Sequence, residues 1–217
     1  MQKKKFEKPK MSELISRSVS EVRASIDEDN KDYAHITGYP IVFEQKTDIS
    51  GLFSETIAKG AISESVLRDV DFFYNHDLNT KPLARTRNGR LVLNIDNQGV
   101  HMDSTVNLKR SDANDLYLAI QDDDIDGMSF MFRVEDEEWE NLDTDYPSRR
   151  ITKIGYVQEV SAVNYPAYEG TSINARANLF LDRDKQALDE ARAKTVATVK
   201  QDEVELAKLK AKYLFNF

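Results

Sequence analysis

The sequence predicts a mainly β (α+β) fold: an antiparallel β-barrel, closed or nearly so, surrounded by short helices and followed by a long helical tail. Three observations predict it. Short runs rich in β-formers recur from Ala34 onward, separated by turn signals such as Asn88-Gly89 and the "DNQG" of residues 96–99. Helical spacing interrupts them only briefly, in "AKGAISESVLRDV" and "SDANDLYLAIQ". Finally, residues 178–213 contain no glycine or proline and mix Ala, Lys, Asp, Glu and Leu.

Each element follows from its own residues. Residues 1–30 are charged and lack sustained periodicity, so they read as a flexible or loosely helical arm. "AHITGYPIVF" alternates and reads as a strand, and a short helix is expected through Ile62 and Val66. The runs "VDFFYNH", "PLARTR", "LVLNID" and "VHMDSTVN" read as further strands. A helix capped by Ser111 or Asp112 comes next. Two more strands, "GMSFMFRV" and "IGYVQEVSAVNY", are expected to flank an acidic loop that carries the one tryptophan. The expected division is an arm at 1–30, a barrel domain at 31–176 and a tail at 177–217. In the tail Val196, Val199, Leu206 and Tyr213 fall near one helical face, interrupted by Glu203. That face suits either docking on a partner or covering the barrel.

Composition narrows the functions. At 217 residues the chain can bury a substantial core, and 40% hydrophobic with 31% charged residues mark it as globular. A net charge of −8 argues against a protein that binds nucleic acid by neutralising phosphates. No stretch reaches the roughly 20 apolar residues of a membrane span, and the basic start has no apolar run behind it, so no secretion signal or membrane partner is expected. There are no cysteines, which removes thiol nucleophiles and thiolate-bound metal and fits a reducing, cytoplasmic setting. Any chemistry that needs an imidazole must use His35, His76 or His101.

Alternation sorts the candidates. Along "GMSFMFRV", Met128, Phe130, Phe132 and Val134 form an apolar face, and Ser129 points the other way with Met131 and Arg133. Along "QEVSAV", Val160 and Ala162 pair on one face and Glu159 and Ser161 on the other. If both strands belong to one barrel, Ser129 and Glu159 project from its outer, non-core surface as neighbours. His76 is expected to share a face with Phe72 and Tyr74, leaving its neighbour Asp77 badly placed to orient it. A histidine that takes a proton from a serine needs an acceptor on its other nitrogen, and Glu159 can reach from an adjacent strand. The acidic run at Asp122, Asp124, Asp126 and Gly127 begins like a calcium loop, but Arg133 stands where the twelfth position needs a glutamate. It reads as a solvated turn, and the reading calls for no metal and no cofactor.

In order and spacing, "GLFSETIAKGAI", "FFYNHD", "DGMSFMF" and "EVSAVNYPAY" resemble the prohead maturation proteases of tailed bacteriophages, over roughly residues 34–176. The resemblance implies a serine-protease fold of the herpesvirus assemblin type. It places the family's histidine in an "NHD" motif at His76, its serine in a "G-x-S-F" strand at Ser129, and its acidic third member at Glu159, before "VS" and the later Pro166-Ala167. His101 is disfavoured, because assemblin-type enzymes place their second histidine after the serine. The early family motif departs here, at Lys59 to Ile62, in a region away from the trio.

The implied activity is endoproteolysis, inside the assembling prohead in the host cytoplasm. The implied substrates are the major capsid protein's scaffold segment or a separate scaffold protein, and the protease itself, with dimerisation as a further expectation. Two other readings stay open: a structural or scaffolding component that kept the fold and lost turnover, and a general cellular hydrolase.

Overall fold

The structure, a computed structural model, describes residues 8–20, 22–164 and 175–214. In chain order its elements are β1 (Ile15–Ser20), β2 (Arg23–Ile26), β3 (Tyr33–Val42), β4 (Thr47–Ile49), β5 (Phe53–Ile57), β6 (Asp71–Tyr74), β7 (Ala84–Arg85), β8 (Leu91–Ile95), β9 (Gly99–Asn107), α1 (Ser111–Gln121), β10 (Gly127–Glu140), β11 (Ser148–Val163) and α2 (Ala175–Leu214). The fold is mainly β, as expected. Among the described residues no helix is long and apolar enough to cross a membrane.

Among the described residues the strands form two sheets, and no closed barrel is found. One sheet runs β1-β10-β11-β5-β4, with β6 also on β11 and β7 on β6; the other runs β2-β3-β9-β8. The larger sheet is mixed rather than antiparallel, because β5 and β6 both pair with β11 in parallel. β11 is long enough to serve both: its start, at 148–151, takes β5 and its end, at 159–162, takes β6. A common apolar core replaces barrel closure. Met128, Phe130 and Phe132 of β10 and Val160 and Ala162 of β11 join Ala34, Ile36, Val100 and Met102 of the smaller sheet, with Leu116 and Ile120 of α1. The apolar face expected along β10 is therefore the core face, where the rings of Phe130 and Phe132 stack 4.4 Å apart.

Several local expectations change. β1 and β2 lie within the segment read as an arm, and both are paired strands. The helix expected through Ile62 and Val66 is only a 3-10 turn at Glu64–Leu67. Arg110 occupies the N-cap of α1 without a side-chain capping bond, its guanidinium donating instead to Asp112 Oδ1 at 3.0 Å, and Asp112 accepts from Ala113 N at 2.9 Å. The acidic stretch with Trp139 is strand rather than loop, since β10 runs on to Glu140 opposite Ser148. Trp139 covers apolar surface there, edge-on to Phe53 at 4.9 Å. Pro166-Ala167 lies outside the described residues, and so does the side chain of Tyr213.

α2 behaves as two halves. Its first turns pack down: Phe180 joins Leu14, Met131 and Tyr156, and buried Leu188 joins Ile49 and Phe53. From residue 193 to 212 every residue is exposed, including Val196, Val199, Val204, Leu206 and Leu209. Covering the sheets, one of the two uses foreseen for the tail, is thus the work of its first turns.

Candidate active site

Register brings the candidate residues together. Ser129 of β10 stands opposite Ser18 of β1 and Ser161 of β11, and Met131 stands opposite Ser16 and Glu159. β6 lies on the far side of β11, with Phe73 opposite Ser161. The strand β6 ends at Tyr74, and the next two residues, Asn75 and His76, have φ of 51° and 56°. With Asp77 N bonded to Tyr74 O at 3.1 Å, this is a tight turn whose central pair is left-handed, as in type I′. Asn and His tolerate that region better than most residues, at a cost of order 1 kcal/mol or more each. Three bonds to the β11 end hold the turn in place: Asn75 N to Ala162 O at 2.9 Å, His76 N to Ser161 Oγ at 3.2 Å, and Asn164 N to Asn75 Oδ1 at 3.1 Å.

The turn, and not strand alternation, aims the imidazole. His76 Nδ1 lies 2.6 Å from Glu159 Oε1, and the second carboxylate oxygen accepts from Ser161 Oγ. Ser161 is therefore used twice, as acceptor for the His76 amide and donor to Glu159. A carboxylate facing Nδ1 favours the tautomer with the proton there, which leaves Nε2 as an acceptor. Nε2 faces Ser16 Oγ at 3.1 Å, and Ser16 Oγ is 2.9 Å from Ser129 Oγ. Ser129 Oγ also donates to Arg17 O at 2.8 Å. Glu159, His76, Ser16 and Ser129 thus stand in one line, each within hydrogen-bond distance of the next.

The site is buried, which corrects the expectation of an outer surface. Ser129, Glu159 and Ser161 each have 0% exposure, whereas the His76 side chain keeps 15%. The cause lies in β1 and α2, which cover the face that alternation left outside: Ser16 and the Arg17 carbonyl abut Ser129, and Phe180 packs over Met131.

Beside it lies a buried ionic cluster. Arg17 binds Glu55 through Nε at 2.5 Å and Nη2 at 2.8 Å, and Asp184 of α2 through Nη2 at 2.8 Å. Arg149 Nη1 reaches Glu55 at 3.1 Å and Asp184 at 3.5 Å. Glu137, half-buried at the rim, accepts from Arg149 Nε at 2.8 Å, so two guanidiniums face three carboxylates. Burial would lower the Arg17 pKa, but Glu55 and Asp184 outweigh it and hold the group charged. Burial likewise pushes Glu55 up, yet Arg17 and Arg149 bring its carboxyl below the ordinary range. Arg17 also donates through Nη1 to Ser16 O at 2.8 Å, so the cluster grips the β1 backbone beside the site.

Of the three residues read from the sequence, His76 and Glu159 are in direct contact, and Ser129 connects to them through Ser16. Sequence reasoning missed Ser16 and Ser161. Alternation had put Ser161 on the face of Glu159, which was a usable signal. Ser16 sat in the presumed arm, although "ISRSVS" alternates too.

A serine hydroxyl, an imidazole and a carboxylate linked in this order on a β scaffold fit the Ser-His arrangement of serine hydrolases. The chain belongs to the caudovirus prohead serine protease family, whose model matches residues 20–185. No curated protein and no solved structure gave a match. Membership makes this a bacteriophage serine protease of capsid maturation, which implies action inside the assembling prohead in the host cytoplasm.

Proposed function

We propose that the chain is an endopeptidase in which Ser129 is the nucleophile, His76 the general base and acid, and Glu159 the group that orients His76. The observation that carries this reading is the hydrogen-bonded run from Glu159 through His76 to Ser129. Ser129 Oγ attacks the scissile carbonyl, and its proton passes to His76 Nε2. The resulting imidazolium is stabilised by Glu159, and the proton later leaves with the amine product. Donors for the developing oxyanion, worth about 3–4 kcal/mol of barrier, come from backbone amides or an arginine. Since Ser129 is covered, the carbonyl enters from the side where His76 is exposed.

The substrates in this reading are the major capsid protein's scaffold segment or a separate scaffold protein, and the protease itself. The fold is taken to be of the herpesvirus-protease type, with dimerisation as in that group. The working unit includes β1 and the first turns of α2, since Ser16, Arg17 and Asp184 adjoin the site. The exposed half of α2 would dock on the capsid or scaffold partner.

The test is co-expression of the full chain with its capsid protein, followed by intact-mass measurement. The wild type should shorten the capsid protein and its own chain, and Ser129→Ala should leave both at full length. Identical processing by the two would defeat the proposal. Unprocessed shells of normal shape in both would favour the scaffolding role instead.

A further inference from the structure

Ser16 offers a hydroxyl that the three-residue scheme does not use. It stands between the two groups that must exchange a proton, 2.9 Å from Ser129 Oγ and 3.1 Å from His76 Nε2. Each serine hydroxyl has a single proton to donate. With Nδ1–H directed at Glu159, Nε2 is an acceptor, and Ser16 is the donor that faces it. Ser129 then has two acceptors for its own proton: Ser16 Oγ at 2.9 Å and the Arg17 carbonyl at 2.8 Å. These two choices differ in kind. A proton on Arg17 O points away from the base, and a proton on Ser16 Oγ points along the path to it.

We propose that Ser16 is a catalytic relay: in the attack its hydroxyl receives the Ser129 proton while passing its own to His76 Nε2, and the Arg17 carbonyl holds the Ser129 proton in the resting enzyme. This rests on the assignment of Ser129 as the nucleophile. The step balances. The Ser129 O–H bond breaks as the bond from its Oγ to the substrate carbon forms, and the carbonyl π electrons move onto oxygen. Ser16 exchanges one proton for another and ends as a neutral hydroxyl. His76 becomes the imidazolium, still bonded to Glu159. On collapse of the intermediate the oxyanion re-forms the carbonyl as the C–N bond breaks; Ser16 gives its proton to the leaving amine while taking one from His76 Nε2, which returns the imidazole to neutral. Ser16 is well placed for this because β1 is fixed on both sides: six residue pairs tie it to β10, and Arg17 is anchored on Glu55 and Asp184.

The scheme predicts two protons in flight, where a direct Ser-His transfer has one. The test uses the full-length chain and a fluorophosphonate probe, with the phosphonylated residue located by peptide mass spectrometry. In wild type the probe should label Ser129, and the rate should fall along a curved line as the deuterium fraction of the solvent rises. Ser16→Thr keeps the hydroxyl and should label within about threefold of wild type. Ser16→Val matches threonine in shape but lacks the hydroxyl, and should label about 10²-fold more slowly, the lower range for general acid–base assistance. Labelling of Ser16→Val at the wild-type rate would overturn the relay while leaving Ser129 established as nucleophile. A folded wild type unlabelled at Ser129 would overturn the nucleophile assignment, and the relay with it. Should Ser16→Val fail to fold, the wild-type solvent isotope series decides alone, and a straight line refutes the relay.

Discussion

Two histidines in this molecule contact carboxylates at nearly the same distance, and their surroundings differ in every other respect. His76 Nδ1 is 2.6 Å from Glu159, and His35 Nδ1 is 2.7 Å from Asp103. The second nitrogen separates them. For His76 it faces a hydroxyl, Ser16 Oγ, whereas for His35 it faces another carboxylate, Asp27, at 3.5 Å. Exposure separates them again: 15% and 0% for the first pair, 35% and 41% for the second. The hydrogen bond to Asp103 raises the His35 pKa against an opposing burial effect, and the charges of Asp103 and Asp27 add to the rise. The two carboxylates favour the cation at His35, whereas the second nitrogen of His76 faces a hydroxyl with which it can exchange a proton. A histidine–carboxylate contact alone therefore marks nothing.

The sharpest way to break the comparison is to neutralise each carboxylate in turn. Glu159→Gln keeps the shape but can present an amide N–H to Nδ1, which drives the imidazole proton to Nε2 and removes the acceptor. Labelling by a fluorophosphonate, or capsid-protein processing followed by mass, should fall by about 10³- to 10⁴-fold, as loss of the orienting carboxylate does in serine hydrolases. Asp103→Asn should leave the same rates unchanged. Equal losses from the two variants would show that the distinction drawn from the second nitrogen is false.

The next effect concerns what holds the site. Asp184→Asn leaves Arg17 and Arg149 buried with one fewer carboxylate, and breaking such a pair costs about 3–5 kcal/mol. Urea unfolding should show it directly. Acid should weaken the same cluster in wild type. The Glu55 carboxyl is held below its ordinary value, so its contribution is present above pH about 4.5 and is lost as pH falls through the folded-state pKa. A melting temperature unchanged between pH 6 and pH 3.5 would contradict the role given to Glu55.

The sequence showed this site unevenly, for physical reasons. Ser129 and Glu159 were legible because strands β10 and β11 alternate cleanly, and one face had to be apolar. The direction of His76 was not, since two left-handed residues end the period that alternation relies on. Burial of the site was hidden for a further reason. What covers Ser129 comes from residues 14–17 and from α2, more than 100 positions away along the chain on one side, and a lone sheet face carries no record of its cover. Mixed pairing was equally hidden, because a strand that serves β5 and β6 in succession reads simply as one long strand. Nothing along the sequence marks Arg17 and Asp184 as buried; only their meeting in the fold makes them core.

The smallest effect tests the other member of the comparison. His35 has a raised folded-state pKa, so its pairing with Asp103 stabilises the fold fully below the unfolded value of about 6.5 and ceases to do so as pH rises through the folded one. The pair is more than a third exposed on the carboxylate side, which screens it to about 0.5 kcal/mol. Asp103→Asn should therefore lower stability slightly at pH 5.5 and leave it unchanged at pH 9, as read from paired urea titrations. A larger penalty at pH 9 than at pH 5.5 would mean that His35 is held neutral and works as an acceptor. The two histidines would then differ only in burial, and the hydroxyl at the second nitrogen of His76 would lose its claim to set the chemistry.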